Sequence, residues 1–374
     1  GGWGGGTFVG SVGVTLNNLS IKNFFKKGAW RPYPMGQNQR LSISAQTNGT
    51  YYKAFAISFT DPWMGGRKPN SFTISAHYSD ENNAYYAWQK GTRYFRTAGV
   101  AAGLGKRLDW PDPYFTFYAE ASYERYMLKD WNTFVLKNGA ANLLSIRLVL
   151  GRNSVDQPIY PRRGSDFSVS VQLTPPYSLW DGKDYKSTAL SEQERYNWIE
   201  FHKWMLKGQW FTPLTRNGNL VLMARAEMGY LGHYNKNKVS PFERFEVGGD
   251  GMTGYNMYGI DIISMRGYDD GALDPVGSNY SCAYNKYTME LRYPLLLKGQ
   301  TNIYVLGFLE GGNGFTSWKE FSPFKIKRSA GIGVRLFLPV VGMVGVDWGW
   351  GFDPAAGQTK RSGSHIHFTM GMQF

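Results

Sequence analysis

The last eleven residues of the chain, Ser364 to Phe374 ("SHIHFTMGMQF"), alternate strictly. Ile366, Phe368, Met370, Met372 and Phe374 take one face of an extended chain, and His365, His367, Thr369, Gly371 and Gln373 take the other. A period of two fits a strand between unlike environments and fits no helix. The pattern returns along the whole sequence. In "SFTISAHYS" Phe72, Ile74, Ala76 and Tyr78 alternate with Ser71, Thr73, Ser75, His77 and Ser79; in "LLSIRLVLG" Leu144, Ile146 and Leu148 oppose Ser145 and Arg147.

Segments of this kind fall at 7–16, 37–48, 51–60, 70–80, 93–107, 114–128, 142–153, 164–174, 198–208, 219–231, 284–294, 300–312, 326–338, 341–351 and 364–374. They make fifteen, and the glycine-rich start supplies a partial sixteenth at 1–6. No helical period interrupts them, so the expected fold class is all-β, an antiparallel β-barrel of about 16 strands rather than a βαβ architecture. The 374 residues leave about 23 per strand and connection, enough for the ~9–11 residues of a strand that crosses a membrane.

The polar faces say which kind of sheet this is. Glu120 and Glu124 share a face, as do Arg225 and Glu227, and Lys286, Thr288, Glu290 and Arg292; the alternates Phe117, Leu222, Tyr287, Met289 and Leu291 are apolar. A soluble sandwich core would have to bury those charges. A membrane-spanning barrel with lipid outside and water inside would not. A large sheet with one wet face and one core face competes with that reading at this point. The mean hydropathy of −0.39 argues against spanning helices and says nothing against spanning strands. One barrel domain is therefore expected over 1–374, with its first strand partial at 1–6, a long extracellular loop at about 232–283 and a closing strand at 364–374.

The 41 basic and 28 acidic residues leave a net charge of +13, scattered through "FFKKGAWR", "YPRRG" and "KIKRS". With no nucleic-acid module around them, lipid headgroups or a cationic lumen are the expected destination, and nucleic acid is not a partner. The single cysteine, Cys282, excludes an internal disulfide framework. Gly249-x-Gly251-x-x-Gly254 has no βαβ unit around it, and His365 with His367 would give a metal only two ligands. No catalytic residue, cofactor or metal is expected, and the chain reads as a non-enzyme.

The most informative stretch runs from Pro241 to Pro275, with Met265, Arg266, Gly267, Tyr268 and Asp269 at its centre. A glycine beside the arginine permits close backbone packing while the guanidinium forks onto a carboxylate. "ERFEVGG" followed by "MRGYDD" resembles a loop of the BamA family of outer-membrane protein assembly factors and of its relatives, the two-partner-secretion transporters and organelle import barrels. The resemblance extends in order over "GSVGVTLNNLS", "ISFTDPW", "MELRYPL", "SAGIGVRLFLPVVGMVGVDWGW" and Phe374. Two features depart from it: about a dozen residues, Met252 to Ile263, intervene between Gly249 and the Arg-Gly motif, and the family's N-terminal POTRA domains are not in this chain.

The resemblance implies that Arg266 points into the lumen and pairs with acidic wall residues, with Glu310 and Asp347 as the expected partners. It implies a protein integral to the bacterial outer membrane that folds and inserts β-barrel proteins through a lateral seam. Gly4, Gly5 and Gly6 would line that seam on the first strand, where glycine weakens pairing. Ile366, Phe368, Met370, Met372 and Phe374 would line it on the last. The implied partners are unfolded outer-membrane protein clients, accessory lipoproteins of an assembly complex and outer-membrane lipid. Two alternatives stay open: a two-partner-secretion-type polypeptide exporter, and a diffusion porin whose positive charge would suit anions.

Overall fold

The computed structural model describes residues 2–4, 7–30, 32–49, 51–66, 70–84, 90–251, 259–277, 280–298, 301–338 and 342–370. Sixteen strands make one sheet in chain order, from Gly2–Gly4 and Thr7–Leu19 through to Gly342–Pro354 and Arg361–Met370. Neighbours run antiparallel, as in Ala283–Lys298 beside Thr301–Phe315 and Lys327–Leu338 beside Gly342–Pro354. Two three-residue strands, Phe245–Val247 and Asp261–Ile263, stand outside the sheet and pair with each other in parallel.

Some strand limits differ from the sequence expectation. The segment expected at 198–208 is a strand only over His202–Pro213. Ile199 and Phe201 are buried just before it, with the Ile199 N–H on the Asn142 carbonyl at 2.8 Å and the Phe201 N–H on Thr174 Oγ1 at 2.8 Å. The last strand begins at Arg361 rather than at 364, because pairing of Arg361 with Pro354 carries its hairpin three residues further back; it is described as far as Met370, and the expected end at 374 lies outside the described residues. Met372 and Phe374, like Gly5 and Gly6, lie outside the described residues.

Exposure along the strands is inverted relative to a water-soluble sheet. On Ala283–Lys298, Met289 and Leu291 are 50% and 47% exposed, whereas Thr288, Glu290 and Arg292 between and beside them are 3%, 5% and 8% exposed. Val12, Ile43, Phe55, Val100 and Ile146 repeat the open apolar face on other strands. Soluble proteins cover such side chains; an outer face that meets lipid leaves them outward. This removes the soluble-sheet alternative. It also corrects one expectation in part: Glu290 and Arg292 are buried in an ion pair rather than bathed in lumen water, whereas Glu120, Glu124 and Arg225 stay partly exposed.

The chain divides into two units: Gly1–Val149, Gln172–His202 and His233–Pro241 form the first, and Leu150–Val171, Lys203–Gly232 and Phe242–Phe374 the second. In the first, Phe95 is fully buried against Tyr126 and Phe134, with ring centroids at 5.9 and 5.8 Å. Its connections are tied by a buried lysine: Lys238 Nζ lies 3.5 Å from Glu200 and 3.1 Å from the Tyr185 hydroxyl, which in turn donates to Asp181. Burial pulls the Lys238 pKa below its usual value, against the opposing pull of Glu200 and Asp181. The short helix Glu192–Tyr196 starts on a Ser191–Glu194 capping box, and Arg195 on it donates to the carbonyls of Tyr185 and Asn237 at 2.7 Å.

In the second unit a buried cluster gathers Tyr160, Phe211, Met223, Tyr304, Phe308 and Met343. Tyr160 comes from the connection between Gly139–Asn153 and Gly164–Leu173. Its hydroxyl lies 2.8 Å from the Asn219 carbonyl and 3.0 Å from that of Arg292. A tyrosine suits such a place because its ring packs while its hydroxyl satisfies main-chain acceptors.

Candidate functional site

The long loop is built on backbone contacts before any side chain matters. Phe245–Val247 lies along Asp261–Ile263, and the Gly248 N–H donates to the Ile263 carbonyl at 3.0 Å. Gly249 then accepts from the Met265 N–H at 2.8 Å and donates to the Tyr268 carbonyl at 3.2 Å. The "VGG" and "MRGY" stretches are thereby clamped together, although residues 252–258 between them lie outside the described residues.

Gly267 presses this clamp onto the wall. Its φ is +87°, and a Cβ there would stand 2.8 Å from Ser329 Cβ, 3.0 Å from the Gly351 nitrogen and 3.1 Å from the Trp350 carbonyl carbon. The wall answers with its own glycines: a Cβ on Gly349 would meet the Gly267 nitrogen at 2.8 Å, and one on Gly351 the Gly267 oxygen at 2.4 Å. Backbone lies directly on backbone here, which only glycine permits.

That seat delivers Arg266 to three carboxylates. Its backbone N–H donates to Glu310 Oε2 at 2.9 Å, Nε and Nη2 donate to Glu310 Oε1 at 3.1 and 2.7 Å, and Nη2 also donates to Glu290 Oε1 at 2.6 Å. Nη1 stands 3.6 Å from Asp347 Oδ2, an ion-pair distance rather than a hydrogen bond. The guanidinium lies 3.7 Å above the Phe308 ring. Arg266 is 7% exposed. Burial acts to lower its pKa, but Glu310, Glu290 and Asp347 outweigh it and hold the pKa above the ordinary arginine value.

The carboxylates are themselves shared. Arg292 Nε donates to Glu290 Oε2 at 2.8 Å, and Arg335 forks onto both Asp347 oxygens at 2.8 and 2.7 Å. Thr288 Oγ1 donates to Glu310 at 3.2 Å. Arg266, Arg292 and Arg335 thus face Glu290, Glu310 and Asp347, three charges of each sign. A buried charge is tolerable when paired and hydrogen-bonded in this way.

Both carboxylates nominated from the sequence, Glu310 and Asp347, lie in this cluster. Glu290, Arg292 and Arg335 were not nominated as partners of Arg266. The "YTMELRY" alternation already put Glu290 and Arg292 on the inner face, yet no local signal says at what depth a loop arginine will arrive. Of the other motif residues, Met265 and Tyr268 are fully buried, and the Tyr268 hydroxyl donates to the Arg328 carbonyl at 2.8 Å. Burial pushes the Tyr268 phenol up to about 12.

The loop also reaches the last strand. The Gly267 N–H donates to His367 Nε2 at 2.8 Å, and Asp269 Oδ1 lies 3.2 Å from His365 Nδ1. The two histidines therefore serve as loop contacts. Ile366 and Phe368 on the opposite face are 64% and 56% exposed. Gly4 lies in the three-residue strand Gly2–Gly4, opposite Thr7, and Met370 ends the strand Arg361–Met370.

A family model described as the Omp85 superfamily domain matches residues 35–374. In sequence, the outer membrane protein assembly factor BamA of Neisseria meningitidis serogroup B is 23% identical over 305 residues, 76% of this chain and 30% of that protein. In structure, BamA from Haemophilus ducreyi lacking POTRA domains 1-3 has the same fold, with a TM-score of 0.65 at 17% identity over 96% of this chain and 65% of that one. CdiB from Escherichia coli gives a TM-score of 0.53 at 12% identity over 96% of this chain and 62% of that one. The chain thus spans less than a third of the curated relative it matches.

Proposed function

The chain belongs to the Omp85 superfamily, whose members are integral β-barrel proteins of the outer membrane, and from that premise we propose that it folds and inserts other β-barrel proteins there. The route is a seam between its first and last strands, with Gly4, Gly5 and Gly6 on one side and Ile366, Phe368, Met370, Met372 and Phe374 on the other. An exposed strand edge is a template for an incoming strand. A client's terminal strand pairs with that edge, and its later hairpins follow into the bilayer. No covalent bond changes and no nucleotide is consumed. The driving force is the client's own burial, because a peptide group left unpaired in hydrocarbon costs several kcal/mol and a closing barrel pairs them all.

The observation that supports this reading best is the Gly267–His367 hydrogen bond, which joins the arginine loop to the closing strand. A loop fixed to three wall carboxylates and to that strand is placed to hold the seam strand in position while its outer edge is used. Unfolded outer-membrane proteins are the clients, lipid is the medium, and accessory lipoproteins of an assembly complex are the partners.

The test is disulfide trapping. Cysteines at Gly4 and at positions along 366–370, with Cys282 replaced, are oxidised in the full-length protein in liposomes, and folding of an unfolded barrel client is followed by its resistance to protease. Loss of client folding on oxidation and recovery on reduction supports the seam. Undiminished folding in the locked protein overturns it and moves weight to export of polypeptide through the lumen.

A further inference from the structure

A backbone N–H of the closing strand makes a hydrogen bond that a strand ladder does not account for. The backbone N–H of Phe368 donates to Asp250 Oδ2 at 3.1 Å, across 118 residues of chain. Successive N–H groups along an antiparallel strand point alternately to its two edges. In the sheet order Arg361–Met370 comes last, and its ladder partner is Gly342–Pro354. The Phe368 hydrogen is given to a carboxylate from the loop, so it lies on the edge turned away from Gly342–Pro354.

We infer that Asp250 is an edge cap: its carboxylate occupies, at Phe368, the place a main-chain carbonyl of a neighbouring strand takes, and a client strand enters by displacing it. The inference rests on the seam reading above and adds to it the residue that guards the edge. Three considerations carry it. First, an unpaired backbone N–H at the edge of a strand both costs free energy and invites pairing, and a carboxylate satisfies it with a charge-assisted bond. Second, Asp250 is not an isolated contact. Residues 365, 367 and 368 of the strand all meet the loop, through Asp269, Gly267 and Asp250, so the cap is registered to the same backbone clamp that seats Arg266.

Third, a displaced carboxylate has somewhere to go. A cavity of about 60 Å³ adjoins Asp250; Arg225, Lys286 and Thr369 line it beside the Arg266 and Arg335 ion pairs with Glu290, Glu310 and Asp347. The Thr369 hydroxyl there is buried and has no hydrogen-bond partner among the described residues. Asp250 can leave the edge for a polar surrounding, with Arg225 and Lys286 beyond the three balanced ion pairs, rather than for hydrocarbon. Exchange of a side-chain acceptor for a main-chain acceptor keeps the Phe368 N–H paired in both states. The client therefore displaces one contact instead of breaking into a finished ladder.

The test uses the full-length protein in lipid nanodiscs with Asp250→Ala and Asp250→Asn, the second keeping an acceptor oxygen. Residue-resolved hydrogen exchange reads the Phe368 amide. A photo-crosslinking residue at position 366 reads capture of a synthetic peptide of sequence SHIHFTMGMQF. With Asp250→Ala the Phe368 amide is expected to exchange at least tenfold faster and peptide crosslinking to rise at least threefold, while Asp250→Asn stays near wild type in both. An unchanged amide in Asp250→Ala overturns the cap. A faster amide with unchanged or reduced crosslinking overturns displacement by a strand. If cap and capture both behave as expected but the disulfide-locked protein still folds clients, the cap stands and the seam reading fails, so the two failures are told apart.

Discussion

Glu310 holds Arg266 at two levels, taking the backbone N–H on one carboxylate oxygen at 2.9 Å and the guanidinium on the other at 2.7 and 3.1 Å. The loop's main chain and its charge are thus fixed by the same side chain. Removing one partner from a buried ion pair leaves the other uncompensated, which costs about 3–5 kcal/mol. Arg266→Ala is expected to release the loop by about that much, seen as new trypsin cleavage within 242–277 in intact membranes. Arg266→Glu should be worse, since Glu290, Glu310 and Asp347 would then face a fourth carboxylate. The double reversal Arg266→Glu with Glu310→Arg is expected not to rescue, because the new arginine cannot accept the backbone N–H. Wild-type protease resistance in the double variant would contradict this account.

Gly267→Ala combines a positive φ with a Cβ set against the backbone of Gly342–Pro354 and the Ser329 Cβ on the neighbouring strand. Strain at such a position costs on the order of 1–3 kcal/mol, and the Gly351 and Trp350 backbone cannot turn aside as a side chain would. The variant should lose loop docking while the sheet persists. Circular dichroism that keeps its β signal, alongside trypsin sensitivity of the loop, is the expected pair of results; an undisturbed loop would show that the wall yields.

Tyr160 tests the second unit away from the arginine site. Tyr160→Phe removes the hydroxyl that meets two main-chain carbonyls and is expected to cost about 1–3 kcal/mol. Tyr160→Ala adds a cavity, for about 3–5 kcal/mol. Midpoints of heat-induced mobility change on gels should fall in the order wild type, Phe, Ala. Equal midpoints for Phe and Ala would assign the whole effect to the hydroxyl.

Asp274 gives the loop a pH dependence. Burial pushes its carboxyl up to about 8, against hydrogen bonds from Ser281 Oγ at 2.5 Å and the Val247 N–H at 3.2 Å. An acid whose docked-state pKa exceeds its free value near 4 binds more protons docked than released. Docking is therefore strongest at low pH and weakens progressively from about pH 4 to about pH 8, levelling off above that. Asp274→Asn should flatten the dependence of loop proteolysis over pH 5–8 and protect the loop at pH 8. A wild-type loop equally protected at pH 5 and pH 8 would sink this prediction.

How much of this was legible beforehand divides along a physical line. Side-chain parity along a strand is local, so Met289 and Leu291 could be set against Glu290 and Arg292 from the sequence alone, and the apolar face could be turned to lipid. The same rule started the strand at 198–208 too early, where Ile199 and Phe201 obey the alternation and are buried but stand before the strand His202–Pro213. Parity is a preference of any extended segment and does not say whether a neighbouring strand is present to pair with it.

The sequence by itself determined the all-β class, the strand count and the inward charges, because each follows from spacing over a few residues, while its resemblance to a known family singled out the Arg266–Gly267 motif. The tertiary structure alone decided that Glu290 joins Glu310 and Asp347 around Arg266, that Gly349 and Gly351 make the seat for Gly267, and that His367 and Phe368 are held by residues 100 and 118 positions away. Those contacts depend on the path of a long loop through space, and that path is fixed by buried charge and backbone contact summed over the whole unit rather than by any local preference.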